Sequence, residues 1–158
     1  MPVTQTRYVA VVGPGDASTN ELDAAEAVGR GLGQAGATIV SGGLDGVMAA
    51  VCRGATSAGG TTVGILPGSR RADGNEWLTI ALPTGIGELR NGLVVRAADA
   101  VIAIGGAYGT LSEIALALRT GVPVIGLGTW GIEGVEQVDS PEQAVERALW
   151  RATDRISA

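Results

Sequence analysis

The chain is 158 residues long, 46% apolar and 17% charged, which excludes disorder and suits one domain with a sizeable core. Its formal net charge of −5 argues against nucleic acid as a partner, since non-specific binding needs a basic surface. It has no His and one cysteine, Cys52, which excludes Ser-His-Asp and Cys-His triads, His-ligated zinc, cysteine metal clusters and an internal disulfide. No metal site is therefore expected, and acid–base chemistry falls to Asp, Glu, Tyr and Arg or to the ligand. Cys52, following Ala49-Ala50-Val51, reads as a buried structural thiol rather than a reactive one. Residues 1–6 have neither the charged nor the apolar region of a leader, and no apolar run approaches a membrane span. A soluble cytoplasmic protein with no membrane partner is expected. Glycine accounts for 26 residues, about twice average usage, and clusters where apolar runs end. With no Phe, the core must be Val, Ile, Leu and Ala.

Strand-type and helix-type runs alternate along the chain. Residues 8–12 form a β-rich run that ends in Gly13-Pro14-Gly15. Ser18 and Glu21 make a capping box for a helix reaching about Ala35, where Gly36 stops it. Gly29, Gly31 and Gly33 inside that helix cost roughly 1 kcal/mol each, which points to close packing on a sheet. Residues 37–40 are the second strand, ending in Ser41-Gly42-Gly43, and a helix runs from Asp45 or Gly46 to about Ala58. Residues 61–66 are the third strand. In the loop 67–76, Arg70 and Arg71 read as surface charges, the alternative being a mobile lid over an anionic ligand. Residues 77–81 are a shorter fourth strand, and 87–98 a helix with Leu89, Leu93 and Val94 as its buried face. Residues 100–104 are the fifth strand, followed by a helix over 111–120 that Gly121 and Pro123 close. Residues 124–127 are the sixth strand and 135–138 a short edge strand. Ser140-Pro141-Glu142-Gln143 supplies an N-cap, a first-turn proline and a capping box for the last helix. The alternation, with continuously apolar strands, predicts a three-layer, doubly wound, Rossmann-like α/β fold with a parallel sheet, as a single domain over residues 1–158.

In such folds ligands lie at the carboxyl ends of the strands, and three glycine-rich turns fall there. Gly13-Pro14-Gly15 is not a dinucleotide fingerprint, because it lacks a spaced third glycine and Ser41 stands where the acidic residue should. Ser41-Gly42-Gly43 is either a tight turn or a phosphate or ribose contact. The most informative stretch is Gly105-Gly106-Ala107-Tyr108-Gly109-Thr110-Leu111-Ser112-Glu113, between a strand and a helix. Such a turn offers backbone N–H groups at a positive helix end, where a phosphate binds. The candidate phosphate- or nucleotide-binding residues are Gly13, Ser41, Gly42, Gly43, Gly105, Gly106, Ala107, Tyr108, Gly109 and Thr110. Glu113, one turn into the helix, is a candidate catalytic carboxylate, but Thr110-x-x-Glu113 reads equally as a capping box. Arg90 is either a ligand contact or a solvated helix residue.

Several stretches together resemble the LOG-type Rossmann superfamily, which includes the Lonely Guy phosphoribohydrolases. They are Ser41-Gly42-Gly43 with Gly46-Val47-Met48, Gly64-Ile65-Leu66-Pro67-Gly68, Arg90 with Ala98-Asp99-Ala100, and Gly109-Thr110-Leu111-Ser112-Glu113. Residues 96–106 and 121–128 are most similar to the small bacterial branch related to the molybdenum cofactor carrier proteins. The resemblance runs from about Val9 to Leu149. It implies a nucleoside 5′-monophosphate or similar phosphorylated ligand, with Arg90 and Glu113 as the catalytic pair of a phosphoribohydrolase. The alternative is a carrier or sensor of molybdenum cofactor or a nucleotide, with no other cofactor required. It also implies a homodimer or higher homo-oligomer. The hydrolase motif Pro-Gly-Gly-x-Gly-Thr-x-x-Glu with an upstream Arg-Lys is met at Arg90, Thr110 and Glu113. It is broken at Gly105, Ala107 and Asn91, which stand for its proline, second glycine and lysine. From the chemistry, a carboxylate can stabilise the charge that builds on ribose as an N-glycosidic bond breaks, and an arginine can hold base or phosphate.

Overall fold

The computed structural model describes residues 5–158; Met1 to Thr4, most of the segment read as lacking a leader, lie outside them. Strands β1 (Tyr8–Val12), β2 (Thr38–Ser41), β3 (Thr61–Leu66), β4 (Ile80–Pro83), β5 (Ala100–Ile104), β6 (Val124–Leu127) and β7 (Val135–Val138) alternate with five helices. The helices are α1 (Thr19–Gln34), α2 (Val47–Ser57), α3 (Asn91–Arg96), α4 (Tyr108–Arg119) and α5 (Pro141–Ser157). The strands pair in parallel in the order β4-β3-β2-β1-β5-β6-β7, as the doubly wound α/β reading predicts. Val9 of β1 pairs with Ile39 of β2 on one side and Ala100 of β5 on the other, so β1 is central. All of β5 and nearly all of β1 are buried, as strands covered on both faces must be.

Helices α1, α2 and α5 cover one face of the sheet through Val28, Leu32, Val51 and Ala148. The two shorter helices α3 and α4 cover the other, through Val94, Val95, Ile114 and Ala117, with Trp130 and Ile132 packed beside them. The glycines of α1 serve helix–helix rather than helix–sheet packing. A Cβ on Gly29 would collide with the Val51 carbonyl oxygen of α2, and one on Gly54 of α2 with the Glu26 carbonyl oxygen of α1. Gly31 likewise lies against Val145 of α5. The capping box expected at Ser18 and Glu21 forms in full.

Three local expectations are corrected. Strand β4 starts at Ile80 rather than Trp77. Asn75 causes the shift: its side-chain oxygen accepts from the Trp77 N–H (3.1 Å) and its amide donates to the Leu44 carbonyl (3.0 Å), holding the preceding residues in a turn. The helix expected from Gly87 opens as a tighter 3-10 turn, Gly87–Arg90, and becomes α-helical only at Asn91. With three residues per turn the phase changes, so Leu89 points outward and is 76% exposed, Leu93 is also exposed, and only Val94 is buried. At α5, Ser140 caps Gln143 as expected, but the Gln143 side chain accepts from the Asp139 N–H, one residue upstream of the cap.

Candidate functional site

From β1 the chain winds outward through β2, β3 and β4, then returns to place β5 on the other side of β1. The three glycine-rich turns therefore end three adjacent strands, β2, β1 and β5, at the point where the winding reverses. A Cβ on Gly13 would lie 2.6 Å from the Ile104 carbonyl oxygen and 2.7 Å from Val47, so this glycine lets the β1 turn approach β5 and α2. Gly15 faces open space. The Ser41 hydroxyl is fully buried and accepts from the Gly43 N–H at 3.1 Å, so these two polar groups satisfy each other. Ser41 also lies 3.8 Å from the Cys52 sulfur, and burial pushes that thiol above its usual range.

The β5–α4 turn has a different construction. Gly105 has φ +71°, a left-handed conformation, and a Cβ there would collide with the Glu21 carboxylate. The first turn of α4 begins at Tyr108 rather than Leu111, with Ala107 as its N-cap. Alanine offers no capping oxygen, whereas α1 and α5 are closed by Ser18 and Ser140. The N–H groups of Tyr108, Gly109 and Thr110 thus have no intrahelical partner. Thr110 and Glu113 do not form a capping box, because the helix starts too early for either to be the cap and its partner. The Thr110 hydroxyl is buried and makes no hydrogen bond among the described residues.

Glu113 instead faces Arg90. The Arg90 Nη1 lies 4.0 Å from a Glu113 carboxylate oxygen, and both side chains are buried. Arg90 is thus not a solvated helix residue. Its Nη2 donates to the Gly42 carbonyl oxygen at 3.3 Å and its Nη1 to the Asn91 side-chain oxygen. A Cβ on Gly42 would sit 2.6 Å from Nη2, so the second glycine turn makes room for the guanidinium. The Arg90 Nε has no partner among the described residues. Burial raises the Glu113 carboxyl to about 7, with Arg90 pulling it back down. Burial also lowers the Arg90 guanidinium from its ordinary value. Asn91 donates to the Ser112 hydroxyl (3.3 Å), which donates to the Gly109 carbonyl oxygen (2.7 Å), tying the start of α3 to α4. A cleft of about 500 Å³ opens beside them, its lining including Leu89, Asn91, Gly92, Tyr108, Ser112 and Leu116.

Arg70 is exposed and pairs with Asp73 three residues on, the surface reading of that loop. Two residues at the site were not singled out from the sequence. The Thr129 hydroxyl donates to the Gly105 carbonyl oxygen at 2.6 Å, and the Trp130 indole N–H donates to that of Ala107 at 3.3 Å. Both follow β6, the neighbour of β5, so position after an adjacent strand was the available signal. Among the described residues no group of three or more His, Cys, Asp or Glu side chains could hold a metal ion, and no helix is long and apolar enough to cross a membrane.

The sequence profile of the SLOG cluster4 family matches residues 6–153. The chain belongs to that family. The LOG-type resemblance read from the motifs is thereby confirmed. This SLOG cluster4 chain is 40% identical to an uncharacterized protein of Archaeoglobus fulgidus over 143 residues, which is 89% of this chain and 93% of that one. The molybdenum cofactor binding protein from the phototrophic bacterium Rippkaea orientalis is 32% identical, with a TM-score of 0.88 over 99% of this chain and 100% of that one. The molybdenum cofactor carrier protein of Chlamydomonas reinhardtii is 30% identical, with a TM-score of 0.82 over 92% of this chain and 99% of that one. These two solved relatives are, by their names, proteins that bind or carry molybdenum cofactor.

Proposed function

We propose that this protein binds and carries a phosphate-bearing small molecule at the β5–α4 turn, with molybdenum cofactor as the cargo. The observation that carries the reading is a pair of buried polar atoms without partners, the Arg90 Nε and the Thr110 hydroxyl. Buried donors are ordinarily paired, at a cost of roughly 1–3 kcal/mol when they are not. An anion seated on the free N–H groups of Tyr108, Gly109 and Thr110 would supply acceptors to such donors. Gly42 assists by admitting the Arg90 guanidinium, and Gly105, Gly106 and Ala107 shape the turn. The carrier relatives of similar length and fold support molybdenum cofactor as the cargo.

The departures from the hydrolase motif count in the same direction. Proline holds φ near −65°, whereas Gly105 sits at +71°, so this turn takes a path that the motif's proline does not allow. Asn91 directs the Arg90 guanidinium where the motif has a lysine. A second reading, hydrolysis of a nucleoside 5′-monophosphate, is favoured by one observation: Glu113 is buried beside Arg90 and is not a helix cap. A carboxyl near 7 is suited to proton transfer at neutral pH.

The two readings separate in one experiment. Molybdenum cofactor freshly released from a molybdoenzyme is mixed with the protein and passed through a desalting column, and AMP is incubated in parallel and assayed for free adenine. The carrier reading expects cofactor to elute with the parent, retention to drop at least tenfold in Arg90→Ala, and no adenine. Adenine release that Glu113→Gln abolishes, with no cofactor retained, establishes the hydrolase instead.

We also propose that the working form is at least a homodimer. Leu89, Leu93 and Leu116 on the thinly covered face are all exposed, Leu89 and Leu116 lining one cleft, and exposed apolar surface of this kind suits an interface.

A further inference from the structure

The chain has three Trp, two Tyr and no Phe. One of each, Tyr108 and Trp130, stack on one another beside the β5–α4 turn, with ring centroids 6.3 Å apart and planes inclined by 24°. The Trp130 ring is fixed from two sides: its N–H bonds the Ala107 carbonyl, and it passes over Gly106, where an added Cβ would come within 3.6 Å of the indole nitrogen. Tyr108 is the first residue of α4 and is 85% exposed. Leaving a large ring in water forgoes the burial that normally accompanies an aromatic. Here that ring is backed by a second, anchored one and adjoins the N–H groups at the start of α4. Two residues on, the buried Thr110 hydroxyl lacks a partner among the described residues, as does the buried Nε of Arg90, whose guanidinium faces Glu113 in the same helix. A phosphate held there would place whatever is attached to it within reach of the Tyr108 ring.

We propose that Tyr108, backed by Trp130, is the platform on which the heteroaromatic ring of the phosphorylated ligand stacks, so that the site prefers ring-bearing phosphates to sugar phosphates. This rests on the anion-site reading above and adds the feature that sets ligand class. Stacking tolerates different rings, because every heterocycle presents a π-face, and Tyr108 then selects for a ring without reading its edge.

Calorimetric titration with AMP and with ribose 5-phosphate tests the assignment in the parent, Tyr108→Ala and Tyr108→Phe. The parent should bind AMP more tightly than ribose 5-phosphate. Tyr108→Ala should weaken AMP binding by roughly tenfold and leave ribose 5-phosphate unchanged, while Tyr108→Phe should keep the parent's preference. Equal affinity of the parent for both probes, or an equal effect of Tyr108→Ala on both, overturns the platform and leaves the anion site standing. Unchanged AMP affinity in Tyr108→Ala with a fall in molecular mass assigns the ring to an interface between copies and overturns it too. A parent that binds neither probe nor molybdenum cofactor overturns both the platform and the anion site, whereas one that retains only the cofactor overturns the general preference for ring phosphates.

Discussion

Glu113 links the site to pH. Its carboxyl stands near 7 in the fold against an ordinary value of 4.5, because burial penalises the charged form more than Arg90 favours it. The folded state therefore holds a proton between these values that the unfolded chain has lost. Stability from this group is fully present below about 4.5 and is lost as pH rises through about 7. At about 1.4 kcal/mol per unit, the loss is roughly 3 kcal/mol at most. Glu113→Gln keeps the shape and removes the titration. Urea unfolding at pH 5 and pH 8 should show the parent losing stability across the interval relative to the variant, and parallel behaviour of the two proteins would show that Glu113 is ionised throughout. The same charge acts on ligands. With Glu113 neutral, Arg90 meets an incoming anion uncompensated, so Glu113→Gln should bind phosphate ligands more tightly than the parent at pH 8 and about equally at pH 5. Titrations at the two pH values measure this directly. Gly105 makes a different demand, since its left-handed backbone costs other residues roughly 1–2 kcal/mol before any collision. Gly105→Ala should therefore lower the melting temperature, because its Cβ also runs into Glu21.

At the scale of elements, α1 and α2 touch so closely that side chains are excluded between them at Gly29 and Gly54. In an exposed helix Gly→Ala gains roughly 1 kcal/mol of propensity. At Gly29 the new methyl would overlap the Val51 backbone, which cannot yield as a side-chain tip can, and the overpacking cost should outweigh that gain. Gly92, inside α3, has nothing within 4 Å of such a methyl. Thermal unfolding should thus show Gly29→Ala less stable by about 2 kcal/mol and Gly92→Ala slightly more stable than the parent; equal shifts would mean that the two helices move apart freely. This contrast shows what the sequence could and could not disclose. Ser18 with Glu21 announced the start of α1 because a capping box is a local pattern, and apolar runs announced the strands for the same reason. The glycines of α1 announced close packing but not its partner, which lies in a different element. Strand β4 was displaced by Asn75, whose turn-forming bond to the Trp77 N–H is local but whose bond to Leu44 spans 31 residues and has no local pattern. The turn 105–109 was legible from composition as a glycine-rich turn between a strand and a helix. The ambiguity of Thr110 and Glu113 ended only when the helix proved to begin at Tyr108.

The whole molecule is unevenly clothed. Helices of 16, 11 and 17 residues lie over one face of the sheet, and helices of only 6 and 12 over the other. The thin side is also where Arg90, Glu113 and the cleft sit, and where Leu89, Leu93 and Leu116 point outward. A 3-10 turn leading into α3 turns Leu89 outward, and the cleft walled by Leu89 and Leu116 is open on the same side. A second copy of the chain pressed against α3 and α4 would bury these leucines and lend the cleft a further wall. Light scattering at micromolar concentration should give at least a dimer mass for the parent. Leu89→Glu with Leu93→Glu should reduce it to the monomer, since a carboxylate on each copy would be desolvated at the interface without a partner. The fold should survive, because neither leucine is part of the core. If the cleft is completed across this interface, a monomer produced by Leu93→Glu alone, which leaves the cleft lining unchanged, should also bind AMP or molybdenum cofactor more weakly. A parent that is already monomeric sinks the interface, and a monomeric variant with undiminished ligand affinity confines the site to one chain.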